Sequence, residues 1–203
     1  MLFIVYNLSG DVMLQIQENI SNEIVIKNSK FICFLYNVST IDSINSILEK
    51  TRKDYKDATH ICYAYRLEKV QKYSDDGEPG GTAGAPIMNV LEKNNVTNIL
   101  AIVVRYFGGI KLGAGGLIRA YSKATREALS HANTDIVVFY DYYELISTYD
   151  DLKLLNSITK NLDIIEKEFK ENIVYKIKIE KDKDITEICL QLKNTNIRII
   201  KLS

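Results

Sequence analysis

Two glycine-rich segments, each running straight into a helical pattern, constrain this chain more than any other feature. Residues 75–84 read Asp-Asp-Gly-Glu-Pro-Gly-Gly-Thr-Ala-Gly, four glycines and a proline in ten positions. No regular element accommodates that composition, so the segment is an irregular loop. Pro86 follows, suited to the first turn of a helix because its missing N–H is not needed there. Ile87, Val90 and Leu91 give that helix its apolar face. Residues 107–116 read Phe-Gly-Gly-Ile-Lys-Leu-Gly-Ala-Gly-Gly. They lead into a long helix reaching about His131, with Leu117, Tyr121, Ala124, Ala128 and Leu129 inward.

Between the loops, Leu100–Val104 is an unbroken apolar run, as in a strand buried on both faces. Residues 24–38 are strand-like around a turn at Asn28-Ser29. Thr40 caps a helix carrying Ile41, Ile44, Ile47 and Leu48. Residues 59–68 alternate like a strand, and Ile136–Phe139 reads as the strand closing this unit. The last third has a different texture. A strand over 142–148 is followed by a helix capped by Asp150, strands near 164–170 and 173–180, a helix started by Asp184-x-x-Glu187, and a strand over 197–202. That β-α-β-β-α-β order is the ferredoxin-like pattern. The expected fold class is α+β, in two domains: residues 1–138, of which the first dozen read as an extension with Met13 an alternative start, and residues 139–203.

The 26 basic and 26 acidic side chains cancel, which excludes a uniformly basic coat but not a local patch. Such a patch exists. From Lys93 to Arg126 there is no acid, and Lys93, Arg105, Lys111, Arg119, Lys123 and Arg126 all fall there. Arg119, Lys123 and Arg126 share one helical face. Cys33, Cys62 and Cys189 are odd in number and widely spaced, which argues against a disulfide framework and for a reducing cytosol. The N-terminal apolar run is too short for a signal peptide, and no stretch is long enough to span a bilayer. A soluble cytoplasmic protein is expected, with no membrane contact.

The second glycine loop opens a helix at Gly113, Gly115 and Gly116, where free backbone amides and the positive helix end suit an anion. It lacks the lysine of a phosphate-binding P-loop and the third glycine of a dinucleotide fingerprint. A tight turn with close helix–sheet packing is the simpler reading of the same glycines. Asp75, Asp76 and Glu78, with Thr82 nearby, supply oxygens that suit Mg²⁺ or Ca²⁺, or else brace a turn. His60 and Cys62 share one strand face, which allows a Cys/His nucleophile or, more simply, a core Cys and a hydrogen-bonded His. Tyr63, Tyr65 and Tyr106 offer stacking surfaces or half-buried packing. No metal or cofactor is expected, and no catalytic residue is identified.

The motifs Ala58–Arg66, Ser74–Gly84 and Val104–Tyr121 resemble the YigZ/IMPACT family. His60, Arg66, Asp75, Asp76, Glu78 and Thr82 fall in the first two. The resemblance is strongest over residues 24–135. It implies an N-terminal domain like the second domain of the fifth small-subunit ribosomal protein, and a C-terminal domain similar to the last domain of elongation factor G. It also implies a translation-associated role, since the eukaryotic branch regulates translation by binding the activator of an amino-acid-starvation kinase. The leading expectation is a non-enzymatic module that contacts RNA or a ribosome-associated protein through Arg105, Lys111, Arg119, Lys123, Arg126 and the Gly113–Gly116 helix start. The alternatives are a protein-interaction regulator without nucleic acid, and a hydrolase-type enzyme using His60 with Asp75, Asp76 or Glu78. The oligomeric state is not legible.

Overall fold

A computed structural model describes residues 13–181, 183, 185–193 and 195–202. These form two compact units, residues 13–137 and 138–202. The first holds β1 (Leu14–Ile16), β2 (Ile20–Ile26), β3 (Ser29–Asn37), α1 (Ile41–Asp54), β4 (His60–Arg66), β5 (Gln71–Ser74), α2 (Gly84–Lys93), β6 (Ile99–Tyr106), α3 (Ala114–Ser130) and β7 (Thr134–Ile136).

Five strands form an antiparallel sheet in the order β2-β3-β6-β4-β5. Lys27 and Asn28, both at positive φ, form the two-residue turn between β2 and β3, a geometry whose twist matches that of the strands. Central β6 is buried on both faces. Ala101 and Val103 meet α2 and α3, while Leu100, Ile102 and Val104 meet α1. Helices on both sides of an antiparallel sheet thus explain the apolar run that more often marks parallel strands. Thr40 caps α1, its Oγ1 accepting from the Ser43 amide at 3.2 Å.

The expected closing strand differs. Residues 137–139 are not strand. β7 lies just before them and pairs with β1 in a separate two-stranded sheet, Leu14 opposite Ile136. Pairing with the N-terminal segment sets this register, and local composition does not report that partner.

The second unit holds β8 (Tyr140–Ser147), α4 (Leu152–Ile158), β9 (Asp163–Phe169), β10 (Ile173–Glu180), α5 (Thr186–Leu192) and β11 (Arg198–Lys201). Its antiparallel sheet runs β11-β8-β10-β9, the ferredoxin-like order. Leu145, Leu155, Ile173, Tyr175 and Ile177 fill its core. The expected Asp150 cap is absent. Asp150 lies inside a 3₁₀ turn, Tyr149–Asp151, that leads into α4 without a side-chain cap. Asp184 lies outside the described residues.

Candidate functional site

The two glycine loops meet at one end of the first unit's sheet. β4 opens with His60, and Arg105, the penultimate residue of β6, lies directly opposite it. The loop after β5 folds over this end, held by its own carboxylates. Asp75 Oδ1 accepts from the amides of Ala83 (3.0 Å) and Gly84 (2.9 Å), and its Oδ2 from Gly81 (2.8 Å). Partial burial by itself would raise the Asp75 pKa, but the three amides prevail and hold it below the ordinary carboxylate value. Asp76 Oδ2 accepts from the Ile61 amide at 2.7 Å. Thr82 donates to the Pro79 carbonyl at 2.7 Å. Gly84 is required by proximity, since a Cβ there would press on the Ser74 backbone, its oxygen at 2.7 Å.

Glu78 turns the other way. It is buried, and its Oε1 accepts from Arg105 Nη1 and from the Tyr121 hydroxyl, the latter at 2.8 Å. The Arg105 guanidinium lies 5.5 Å from the Phe31 ring centre and 5.6 Å from that of Phe107. His60 Nδ1 lies 2.8 Å from the Asp76 carbonyl. A carbonyl only accepts, so Nδ1 carries the proton and Nε2 faces Glu78 Oε2 at 3.8 Å. The Cys62 thiol, within reach of the Asp75 carbonyl (2.9 Å) and the Tyr121 hydroxyl (3.3 Å), is buried, and that burial pushes its pKa up to about 12. A thiol so disfavoured as thiolate makes a poor nucleophile.

The second loop is fastened by Phe107 and Gly108, whose amides donate to Thr59 Oγ1 (3.0 Å) and Ser29 Oγ (3.1 Å). It then climbs to Gly113, whose φ of +71° starts α3 with no side-chain cap. A cleft of about 380 Å³ opens here, lined by Thr59, His60, Glu78, Pro79, Arg105, Phe107 and the Lys111–Ala114 turn, with Leu117 behind.

These positions revise several expectations. Asp75, Asp76 and Glu78 do not converge on a common point: Asp75 braces its own loop's amides, Asp76 holds the Ile61 amide of β4, and Glu78 pairs with Arg105. Among the described residues no group of three or more His, Cys, Asp or Glu is placed to hold a metal ion. Arg105 does not join the exposed basic stripe, being only 5% exposed. The signal was available: Arg105 follows Ala101 and Val103 at period two, so it belongs to the buried face. Arg66 lies at the far end of β4, donating to the Val96 carbonyl at 3.3 Å. Tyr63 and Tyr65 are core residues, and the Tyr106 hydroxyl donates to Asp57 at 3.1 Å. Lys111, Arg119, Lys123 and Arg126 are exposed. Arg119 reaches back toward the helix start, its Nη1 3.6 Å from where a Cβ on Gly115 would stand. Thr59, Phe107 and Tyr121 were not foreseen as site residues, because their roles depend on which strand ends and helix start meet.

Comparison with known proteins follows the same segments. The Impact N-terminal domain profile matches residues 27–129. The IMPACT family member YvyE of Bacillus subtilis (strain 168) is 40% identical over 173 residues, covering 81% of this chain and 78% of that one. The crystal structure of a hypothetical protein superposes with a TM-score of 0.67 at 26% identity, covering 94% of this chain and 97% of that one. The two-domain translational regulator Yih1 aligns at 24% identity over 55% of this chain and 45% of its own, with a TM-score of 0.38.

Proposed function

The chain belongs to the IMPACT family, and from that premise we propose that it is a translation-associated regulatory module that contacts RNA through the outer face of α3. The translational part of this reading comes from the family. The RNA part comes from one observation: Arg119, Lys123 and Arg126 project together from α3, next to exposed Lys111, in a stretch without acids. The Lys123–Glu127 pair at 3.5 Å is half-exposed and leaves the lysine available, since such pairs contribute little. Phe107, Ile110 and Ile118, in the same stretch of sequence, are exposed and supply apolar surface against which bases can pack. No helix among the described residues is long and apolar enough to cross a membrane.

The test is titration of the protein with labelled structured RNA at several salt concentrations. Binding should weaken with a log–log slope of about 0.7–0.9 per phosphate contact. Arg119→Glu with Lys123→Glu should lower affinity at least about tenfold while the thermal melt stays unchanged. Unchanged affinity in that variant overturns the reading. Capture of a stoichiometric protein partner that survives nuclease, in the absence of RNA binding, would assign the same face to an acidic protein surface instead.

A further inference from the structure

The outer face of α3 leaves the adjoining cleft unused, and the cleft has features an RNA backbone grip does not require. The first helical bond of α3 is Leu117 N–H to the Gly113 carbonyl at 2.9 Å, so the amides of residues 114–116 have no partner within the helix. Gly113 provides no side chain to satisfy them, and a Cβ placed there would meet only open space. Arg105 is a second, independent sign. It lines the cleft, is more than nine-tenths buried, and its Nε–H has no hydrogen-bond partner although Nη1 holds Glu78. An unpaired buried N–H is costly, and an acceptor delivered by a ligand would relieve it. His60 also lines the cleft, its Nε2 turned to Glu78 Oε2, and exposed Lys111 lines it as well. Glu78, held by Arg105 and Tyr121, also lines the cleft, and Pro79, Phe107, Leu112 and Leu117 form its apolar part. Phe107 presses one side of its ring toward Arg105 and is 46% exposed on the rest.

We propose that this cleft binds the terminal phosphate of a nucleotide, either a free mononucleotide or the phosphorylated end of an RNA. Donors converge from the helix start, Arg105 and Lys111. A phosphate monoester, with three terminal oxygens and up to two negative charges, meets them from several sides, as a singly charged diester does not. The Phe107 ring supplies a stacking surface for the attached base. A volume of about 380 Å³ accommodates a ligand of that size. The RNA-end source rests on the RNA reading above, whereas the free-nucleotide source does not.

Calorimetric titration with 5′-AMP, 3′-AMP and adenosine, and with one oligoribonucleotide phosphorylated at both ends or at neither, tests the inference. A mononucleotide should bind at least about tenfold more tightly than adenosine, the value of one charge-assisted contact. Ala114→Trp, which fills the cleft from the exposed first position of α3, should abolish that difference, and Lys111→Ala should reduce it. Thermal melts establish that both variants fold. A preference for the phosphorylated oligonucleotide of similar size assigns the RNA end, and mononucleotide binding without that preference assigns the free nucleotide. If phosphate adds no affinity in either pair, or if Ala114→Trp binds as well as the parent, the inference is overturned. Salt-dependent binding of the unphosphorylated oligonucleotide reports on the α3 face separately, so the two readings can fail independently.

Discussion

Asp75 and Glu78 sit three residues apart and do opposite work. Asp75 ties the glycine loop to itself through three amides, and Asp75→Asn should cost about 1–3 kcal/mol. Its folded pKa lies below the ordinary value. The stabilisation is therefore fully present above the unfolded carboxylate pKa of about 4 and is lost as pH falls through the lower folded value. Urea melts of the two proteins should differ most at neutral pH and converge in acid. A difference that persists at the lowest pH would refute this assignment. Glu78 holds a buried guanidinium, so Glu78→Ala strands Arg105 and should cost about 3–5 kcal/mol by chemical denaturation. The cysteines provide a third check. Burial pushes Cys33 and Cys62 up to about 12, whereas Cys189 is exposed. A thiol reagent at pH 8 should titrate one thiol in the native protein and all three once it is unfolded.

Among the elements, β6 and α3 carry the site between them. β6 presents Arg105 inward at its end, and the loop that follows must turn within contact of the β2–β3 hairpin. Gly108 permits that approach, because a Cβ there would overlap the backbone of Asn28 and Ser29. Gly108→Ala should destabilise by at least about 2 kcal/mol. Gly113 is glycine for a different reason: its surroundings are open, and only its positive φ is demanding. Gly113→Ala should cost about 1–2 kcal/mol, and Gly113→Asn less, since asparagine tolerates the left-handed region. Equal effects of alanine at both positions, measured by denaturant midpoints, would contradict this distinction. Helix and strand identity here was legible from periodicity: Thr40 before α1, the stripe of α3 and the apolar run of β6. The β1–β7 sheet was not, because three-residue strands have no periodicity to read and exist only through each other.

At the scale of the molecule, residues 13–137 and 138–202 each own a separate core. We propose that the expected domains, 1–138 and 139–203, are separable. A chain ending at residue 138 should then unfold cooperatively by itself and keep whatever RNA affinity the whole protein has, as melting and titration of both would show. Loss of cooperative unfolding would reject the division. The family was recognisable from sequence because the two loops depend on local demands, positive φ and close backbone approach, that leave glycines at set spacings. The same locality made α3's exposed cations legible, since helical spacing alone places them on one face. What the folded chain alone decided was pairing. Asp75 and Asp76 look equivalent to Glu78 in the sequence, and the period of β6 turns Arg105 inward without naming its partner. Only the meeting of β4, β6 and α3 turns Glu78 and Arg105 into a buried pair and leaves Lys111 outside, because burial and hydrogen-bond partners come from residues tens of positions away.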